Sequence, residues 1–390
     1  MTPPVLRILL GCALGAPVTA QSFLDLTEVR NPVSPYMSMF EIEAGAIGTV
    51  AADEDPSVGL DSDTSWDGHV YYRDEGFSSR RGTLEAYAGR DGLFGGFTDG
   101  NIVGDQTVTR FEVRARPWQF YRDGFYRGDD FAPNGLYEGR DYEGYLGFGK
   151  EAGQGLYVEL GPFYRRNDFD RSNLTELTTA SFTVPEDYAA YGGRLYVEQS
   201  TVQLDRRRNM PRDGAVLTLL GEREWNDSST LFGTDQQLTD LPSAVWRARG
   251  RLEWYIPSSD TMTWEVFARG GWNDKTDRIA NFDSTHPLGH QWGDAQLRLR
   301  IHLGNSFTVA PFAQGQYSRL INGDTLGSQK KFFVGGGVES YWHLSEAFSV
   351  HGFYSYLDNE SRPSIRVDED VHGEHMFYLG MVMRFGGRRR

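Results

Sequence analysis

Residues 295–303 alternate without a break. Ala295, Leu297, Leu299, Ile301 and Leu303 fall on one parity; Gln296, Arg298, Arg300 and His302 fall on the other. Residues two apart share a face only in an extended strand, so this segment is a strand with one apolar and one ionic face. Residues 246–256 repeat the design. Trp246, Ala248, Gly250, Leu252, Trp254 and Ile256 oppose Arg247, Arg249, Arg251, Glu253 and Tyr255. Residues 262–272 set Met262, Trp264, Val266, Ala268, Gly270 and Trp272 against Thr263, Glu265, Phe267, Arg269 and Gly271.

A soluble sandwich or propeller also alternates, but two features favour a membrane. Strands of globular proteins usually run about 5–6 residues. A tilted membrane-spanning strand needs about 9–11, the length seen here. Trp246 and Trp254 share a face eight residues apart, as do Trp264 and Trp272. Eight residues at about 3.3 Å, tilted by about 40°, separate the rings by about 20 Å along the membrane normal. That approaches the apolar band of about 25 Å that aromatic girdles flank. Trp342 and Phe385 extend the same girdle.

Candidate strands fall near 36–48, 66–73, 80–90, 106–117, 140–150, 155–165, 190–203, 214–224, 245–256, 261–272, 293–303, 306–317, 332–343, 347–357 and 375–385. Bacterial single-chain barrels carry an even number of strands. The pattern therefore predicts an all-β, antiparallel transmembrane β-barrel of about 16 strands, with 14 the next count. Residues 178–184 are a candidate for the strand not yet located. Connections 257–260, 304–305 and 344–346 are short, whereas 225–244, 273–292, 318–331 and 358–374 are long and polar. Short turns belong to the periplasmic rim and long loops to the exterior.

Composition agrees. The 390 residues include 54 Asp plus Glu against 39 Lys plus Arg, a net charge of −15. Such acidity argues against a nucleic-acid partner, which calls for a basic face. No stretch beyond residue 20 nears the roughly 20 apolar residues of a membrane helix. The N-terminus resembles an export signal. Arg7 precedes an apolar run from Ile8 to Ala16, and Val18, Thr19 and Ala20 suit cleavage after Ala20. Cys12 is the sole cysteine and lies inside it. Four apolar residues separate Arg7 from Cys12, too few for a lipoprotein signal core. The expected organisation is a signal peptide over 1–20, a short periplasmic lead over 21–35, a barrel over 36–385 and a basic tail over 386–390.

In the last strand, Phe377, Leu379, Met381, Met383 and Phe385 alternate with Tyr378, Gly380, Val382 and Arg384. It resembles the terminal strand of Gram-negative outer-membrane β-barrel proteins. The resemblance implies an outer-membrane location, contact with lipid and lipopolysaccharide, and recognition of this strand by the barrel insertion machinery. Gly386–Arg390 departs from that pattern, which ends on the aromatic residue. Residues 204–214, Leu-Asp-Arg-Arg-Arg-Asn-Met-Pro-Arg-Asp-Gly, are similar to a turn of the surface-antigen barrels of insertases and two-partner secretion pores. That family places docking domains before a sixteen-stranded barrel and carries an Arg-Gly-aromatic motif. Here Arg81-Gly82 is followed by Thr83.

The ionic faces supply the candidate pore lining: Arg110, Arg114, Arg116, Arg247, Arg249, Arg251, Arg269, Arg298 and Arg300, with Glu253 and Glu265 among them. Glu143, Glu159, Glu198 and Glu339 are further acidic candidates, and Glu112 lies within the first arginine strand. A wall of arginines favours anions; alternatively the charges pair across neighbouring strands. About sixteen strands leave an aqueous channel, which favours a pore. The leading expectation is passive diffusion of small, by this lining anionic, solutes. The alternatives are a non-channel barrel that binds through acidic loops such as 358–375, or a protein-translocating barrel of the surface-antigen type. No catalytic elbow, phosphate loop or metal motif occurs, and no enzyme, cofactor or metal is expected. His286 and His290 are the nearest thing to a ligand pair.

Overall fold

The computed structural model describes residues 36–388 except 52–62, 90–91, 105–106, 123–125, 128–129, 132–135, 154, 171–181, 206–209, 229, 235–236, 241, 275–279, 282–290, 322–327, 346 and 359–373. The expected signal peptide and lead, His286, His290 and most of the acidic loop 358–375 lie outside the described residues.

Sixteen strands form the wall. They are β1 (Tyr36–Ala51), β2 (Asp63–Glu75), β3 (Gly82–Gly89), β4 (Gly92–Asp99), β5 (Val108–Arg122), β6 (Leu136–Gly153), β7 (Leu156–Asp170) and β8 (Tyr188–Ser200). Then come β9 (Met210–Asn226), β10 (Ala244–Pro257), β11 (Met262–Asn273), β12 (Gln291–Leu303), β13 (Phe307–Ile321), β14 (Ser328–His343), β15 (Phe348–Leu357) and β16 (Glu374–Arg388). Each pairs antiparallel with the next. β16 returns to β1, in register from Ser38 opposite Gly387 to Ala51 opposite Glu374, with a bulge that sets Tyr36 opposite Arg388. The ring is closed, as a sheet in hydrocarbon must be, because water is not there to satisfy an edge.

The sixteenth strand is β4, which the alternation did not reveal. Its sequence, GLFGGFTD, reads locally as a glycine loop, and the pairing with β3 and β5 overrides that. Residues 178–184 are not the missing strand. Phe182–Thr183 instead pairs with Leu231–Thr234 in a small sheet of two long connections. β16 also runs on to Arg388, into the segment expected to be a tail.

The two faces differ as the period-two pattern predicts. Leu93, Phe111, Leu160, Leu195, Leu219, Leu297, Val334 and Leu379 are exposed on the outward face. Trp246, Trp254, Trp264, Trp272, Trp342 and Phe385 are exposed there too. On the inner face, aromatic rings lie flat over glycines of the same or a neighbouring strand. A Cβ on Gly380 would sit 2.1 Å from the Tyr378 hydroxyl, and one on Gly147 2.7 Å from the Glu159 carboxyl carbon. These glycines give room for side chains to lie along the wall.

A charge at the middle of a lipid-facing wall costs about 2–4 kcal/mol. Leu297→Arg is therefore expected to lower the temperature at which the folded barrel converts to the slow-migrating unfolded form in detergent. Gln314→Arg, on the inner face, leaves it nearly unchanged. Equal losses would show that the faces are assigned wrongly.

Candidate functional site: the barrel interior

Side chains on the inner side of a curved wall converge, so they can reach past a neighbouring strand. Glu143 on β6 meets Arg194 on β8 at 2.7 Å, and Arg165 on β7 meets Glu224 on β9 at 2.6 Å. Arg110 on β5 meets Glu159 on β7 at 2.8 Å. That last reach crosses β6 at Gly147, where a side chain would collide with the Glu159 carboxylate.

These pairs join into one cluster across β5 to β10. Arg110 and Arg114 flank Glu112 at 3.5 and 3.0 Å, and Arg114 lies 3.9 Å from Glu143. Glu143 also takes Arg165 at 2.5 Å. Glu222 takes Arg194 at 2.6 Å, and Glu224 takes Arg247 at 2.7 Å. Five arginines (110, 114, 165, 194, 247) thus face five glutamates (112, 143, 159, 222, 224) in these pairs. Glu112 and Glu224 are 0% exposed and Arg194 is 2% exposed. The Arg194 guanidinium also lies over the rings of Tyr145 and Phe163, at 4.8 and 5.4 Å.

A second cluster covers β11 to β16 and β1. Arg300 pairs with Glu265 at 3.1 Å, and Arg298 pairs with Glu339. His351 bridges Glu339 at 3.0 Å and Glu43 at 2.8 Å, while the Tyr378 hydroxyl donates to Glu43 at 2.8 Å. The remaining candidates pair locally. Arg116 grips Asp141 with two hydrogen bonds, one of 2.7 Å. Arg269 pairs with Asp294 at 2.6 Å, and Arg251 pairs with Glu253, which also accepts the Tyr255 hydroxyl at 2.5 Å. Arg249 shares the inward parity of Arg247 and Arg251 and is itself engaged.

All eleven lining candidates are thus on the inner face, but the arginines are engaged rather than bare. Arg165, Arg194, Glu222, Glu224, Glu43 and Asp294 were not among the candidates. Parity would have found Glu222 and Glu224, which continue the inward series Val216, Thr218, Leu220. Arg194 stands singly between glycine and tyrosine positions, so no charge pattern announces it.

Both mouths are crossed. At the periplasmic end, Gln203–Asp205 doubles back on Met210–Asp213, and Arg300 on β12 donates to the Pro211 carbonyl three strands away. Arg212 also meets Asp260 in the β10–β11 turn at 2.8 Å. Pro211, in the segment 204–214, therefore lies toward the lumen. At the outer end, Ala280–Asn281 of the β11–β12 connection pairs with Arg122 and Tyr121 of β5, on the far side of the ring.

The closed ring, the aromatic girdle and the ionic interior together decide the class. The chain folds as an outer-membrane β-barrel. It is similar in structure to CdiB from Acinetobacter baumannii, with a TM-score of 0.52 at 10% identity over 90% of this chain. It is similarly like BamA from Haemophilus ducreyi lacking POTRA domains 1–3, with the same TM-score, identity and coverage. This barrel chain spans 60% of the CdiB chain and 70% of the BamA chain. A Pseudomonas aeruginosa FadL homologue matches at a TM-score of 0.40 and 8% identity, over 94% of this chain and 96% of that one. No family model and no curated protein matches the sequence.

Removing one partner of a buried ion pair strands the other charge, at a cost of about 3–5 kcal/mol. Arg194→Met is expected to lower the thermal unfolding temperature of the barrel in detergent sharply, because Glu143 and Glu222 each lose a buried partner at once. The double change Arg194→Met with Glu222→Met recovers part of the loss. No recovery would mean that Arg194 acts by ring packing rather than by charge.

Proposed function

We propose that the barrel is an outer-membrane channel for passive diffusion of small polar solutes. What carries this is the interior: a polar, ionic wall on a sixteen-strand ring, a size that leaves water inside. The arginines do not make it an anion filter, since carboxylates compensate them along the wall. Selectivity between anions and cations is then weak. The crossings at both ends keep the solutes small.

Single-channel currents of the refolded barrel in a planar bilayer, recorded under a salt gradient, test this. Stable open steps with a reversal potential near zero are expected. Replacing Arg247, Arg249 and Arg251 together with Gln leaves wall carboxylates unmatched, so the reversal potential should move toward cation preference. A folded barrel that never conducts would overturn the proposal. It would instead favour a closed, loop-displaying barrel, the reading supported by the Ala280–Asn281 crossing.

A further inference from the structure

Not every arginine points inward. On β9, Leu217, Leu219 and Trp225 are exposed to lipid, while Glu222 and Glu224 are buried inside. Arg223 shares the parity of the former and so faces lipid. It stands directly opposite Trp246 of β10. Trp246 belongs to the outer row of the girdle, eight residues from Trp254 in the inner row. Arg223 is thus at the level where the apolar band gives way to lipid headgroups. A charge directed at lipid is costly at the middle of the bilayer and tolerated near that level.

The guanidinium is held in place by rings. It lies over the Trp246 ring at 5.0 Å and the Trp225 ring at 5.4 Å, both within reach of cation–ring attraction. Trp225 in turn stacks on Tyr191 of β8, with centroids 6.1 Å apart at 25°. The Asp274 carboxylate, just past β11, is 4.0 Å from Arg223, beyond hydrogen-bond reach. Its other oxygen accepts the Trp246 N–H at 2.8 Å, and the Asp274 N–H donates to the Trp246 carbonyl at 3.1 Å. Asp274 is therefore committed to the β10 backbone and does not grip the arginine. Arg166, also outward at the outer end of β7, differs: it donates to Asp168 at 2.8 Å.

There is room beside Arg223. Gly193 of β8 lies opposite it, and Gly221 is the next outward position on β9. A Cβ on either glycine would meet nothing within 4 Å. Tyr191 and Trp225 close this recess on the outer side; Leu195 and Leu219, both exposed, close it on the inner side. The wall thus presents a cation to lipid, with rings above it and apolar side chains below. An arginine placed only to pair with Asp274 would close to hydrogen-bond distance and would not call for the recess.

We propose that Arg223, clamped between Trp225 and Trp246, is a binding site for a phosphate of lipopolysaccharide in the outer leaflet. The ligand follows from the chemistry of the place: an anion at headgroup height that also carries an apolar body. A guanidinium stacked on rings still donates from its edge, and its planar fork suits phosphate. The acyl part of the same lipid lies over Gly221 against Leu195 and Leu219. The site is on the outside of the wall, so it does not depend on conduction through the lumen.

The test is native mass spectrometry of the refolded barrel, titrated in detergent with lipid A and, separately, with lipid A stripped of its phosphates. Heat-modifiable migration confirms that each variant folds. The barrel is expected to retain lipid A, and Arg223→Gln to bind it about tenfold more weakly, the loss of one charge-assisted hydrogen bond. The stripped lipid should bind both proteins alike, at the weaker level. Arg166→Gln should bind as the unaltered barrel does. Where Arg223→Gln does not fold, Gly193→Leu takes its place; it fills the recess and should show the same loss. Equal retention by Arg223→Gln and the unaltered barrel would overturn the site. So would an equal loss at Arg166→Gln, which marks a diffuse basic surface, or displacement of lipid A by inorganic phosphate, which marks a site for the free anion.

Discussion

Backbone polar groups in hydrocarbon have to be paired, and most of this structure follows from that requirement. It forces the strands into a ring, and the ring forces alternate residues in and out. Apolar and aromatic residues then face lipid, and within the apolar band the charges have nowhere to go but the interior. There they are out of bulk water, so each needs a counter-charge within reach. The pairing of five arginines with five glutamates over β5 to β10 is the outcome. Arginine suits this role better than lysine, since its planar fork can hold two carboxylates at once; Arg194 does so with Glu143 and Glu222.

The ring was legible in the sequence because period two is a local signal. Segments such as 246–256 and 295–303 carry it in full, and their neighbours follow by strand length and tryptophan spacing. β4 was hidden because glycines at positions 92, 95 and 96 blank out the alternation. Two of those glycines are set by neighbours the local sequence does not contain: Gly95 lies against Val113, and Gly92 against the β5 backbone. The lining residues were legible by parity, and so were acidic partners such as Glu143, Glu159, Glu265 and Glu339, but which residue pairs with which was not. A pair such as Arg165–Glu224 depends on two registers multiplied across an intervening strand, and no spacing along the chain encodes that. The arginine wall and the paired network were both open in the sequence; in three dimensions the arginines are compensated.

Glycine holds two roles here. On the inner face it admits rings and carboxylates close to the wall, as Gly147 does for Glu159 and Gly380 for Tyr378. At the outer end of β4, Gly92 with φ +133° lets the backbone seat against the Ala115 carbonyl of β5, which a Cβ would block.

The balanced cluster also bears on how the barrel is assembled. Shifting one strand by a single residue moves all of its side chains to the other face. For β9 that would carry Glu222 and Glu224 into lipid, taking Glu224 from Arg165 and Arg247 and Glu222 from Arg194. In the aligned ring the carboxylates of β6 and β9 meet the arginines of β5, β7, β8 and β10, so a misaligned intermediate gathers like charges that the aligned one keeps apart. The interior charges act as a proofreading code for strand order, written in salt bridges rather than in the turns.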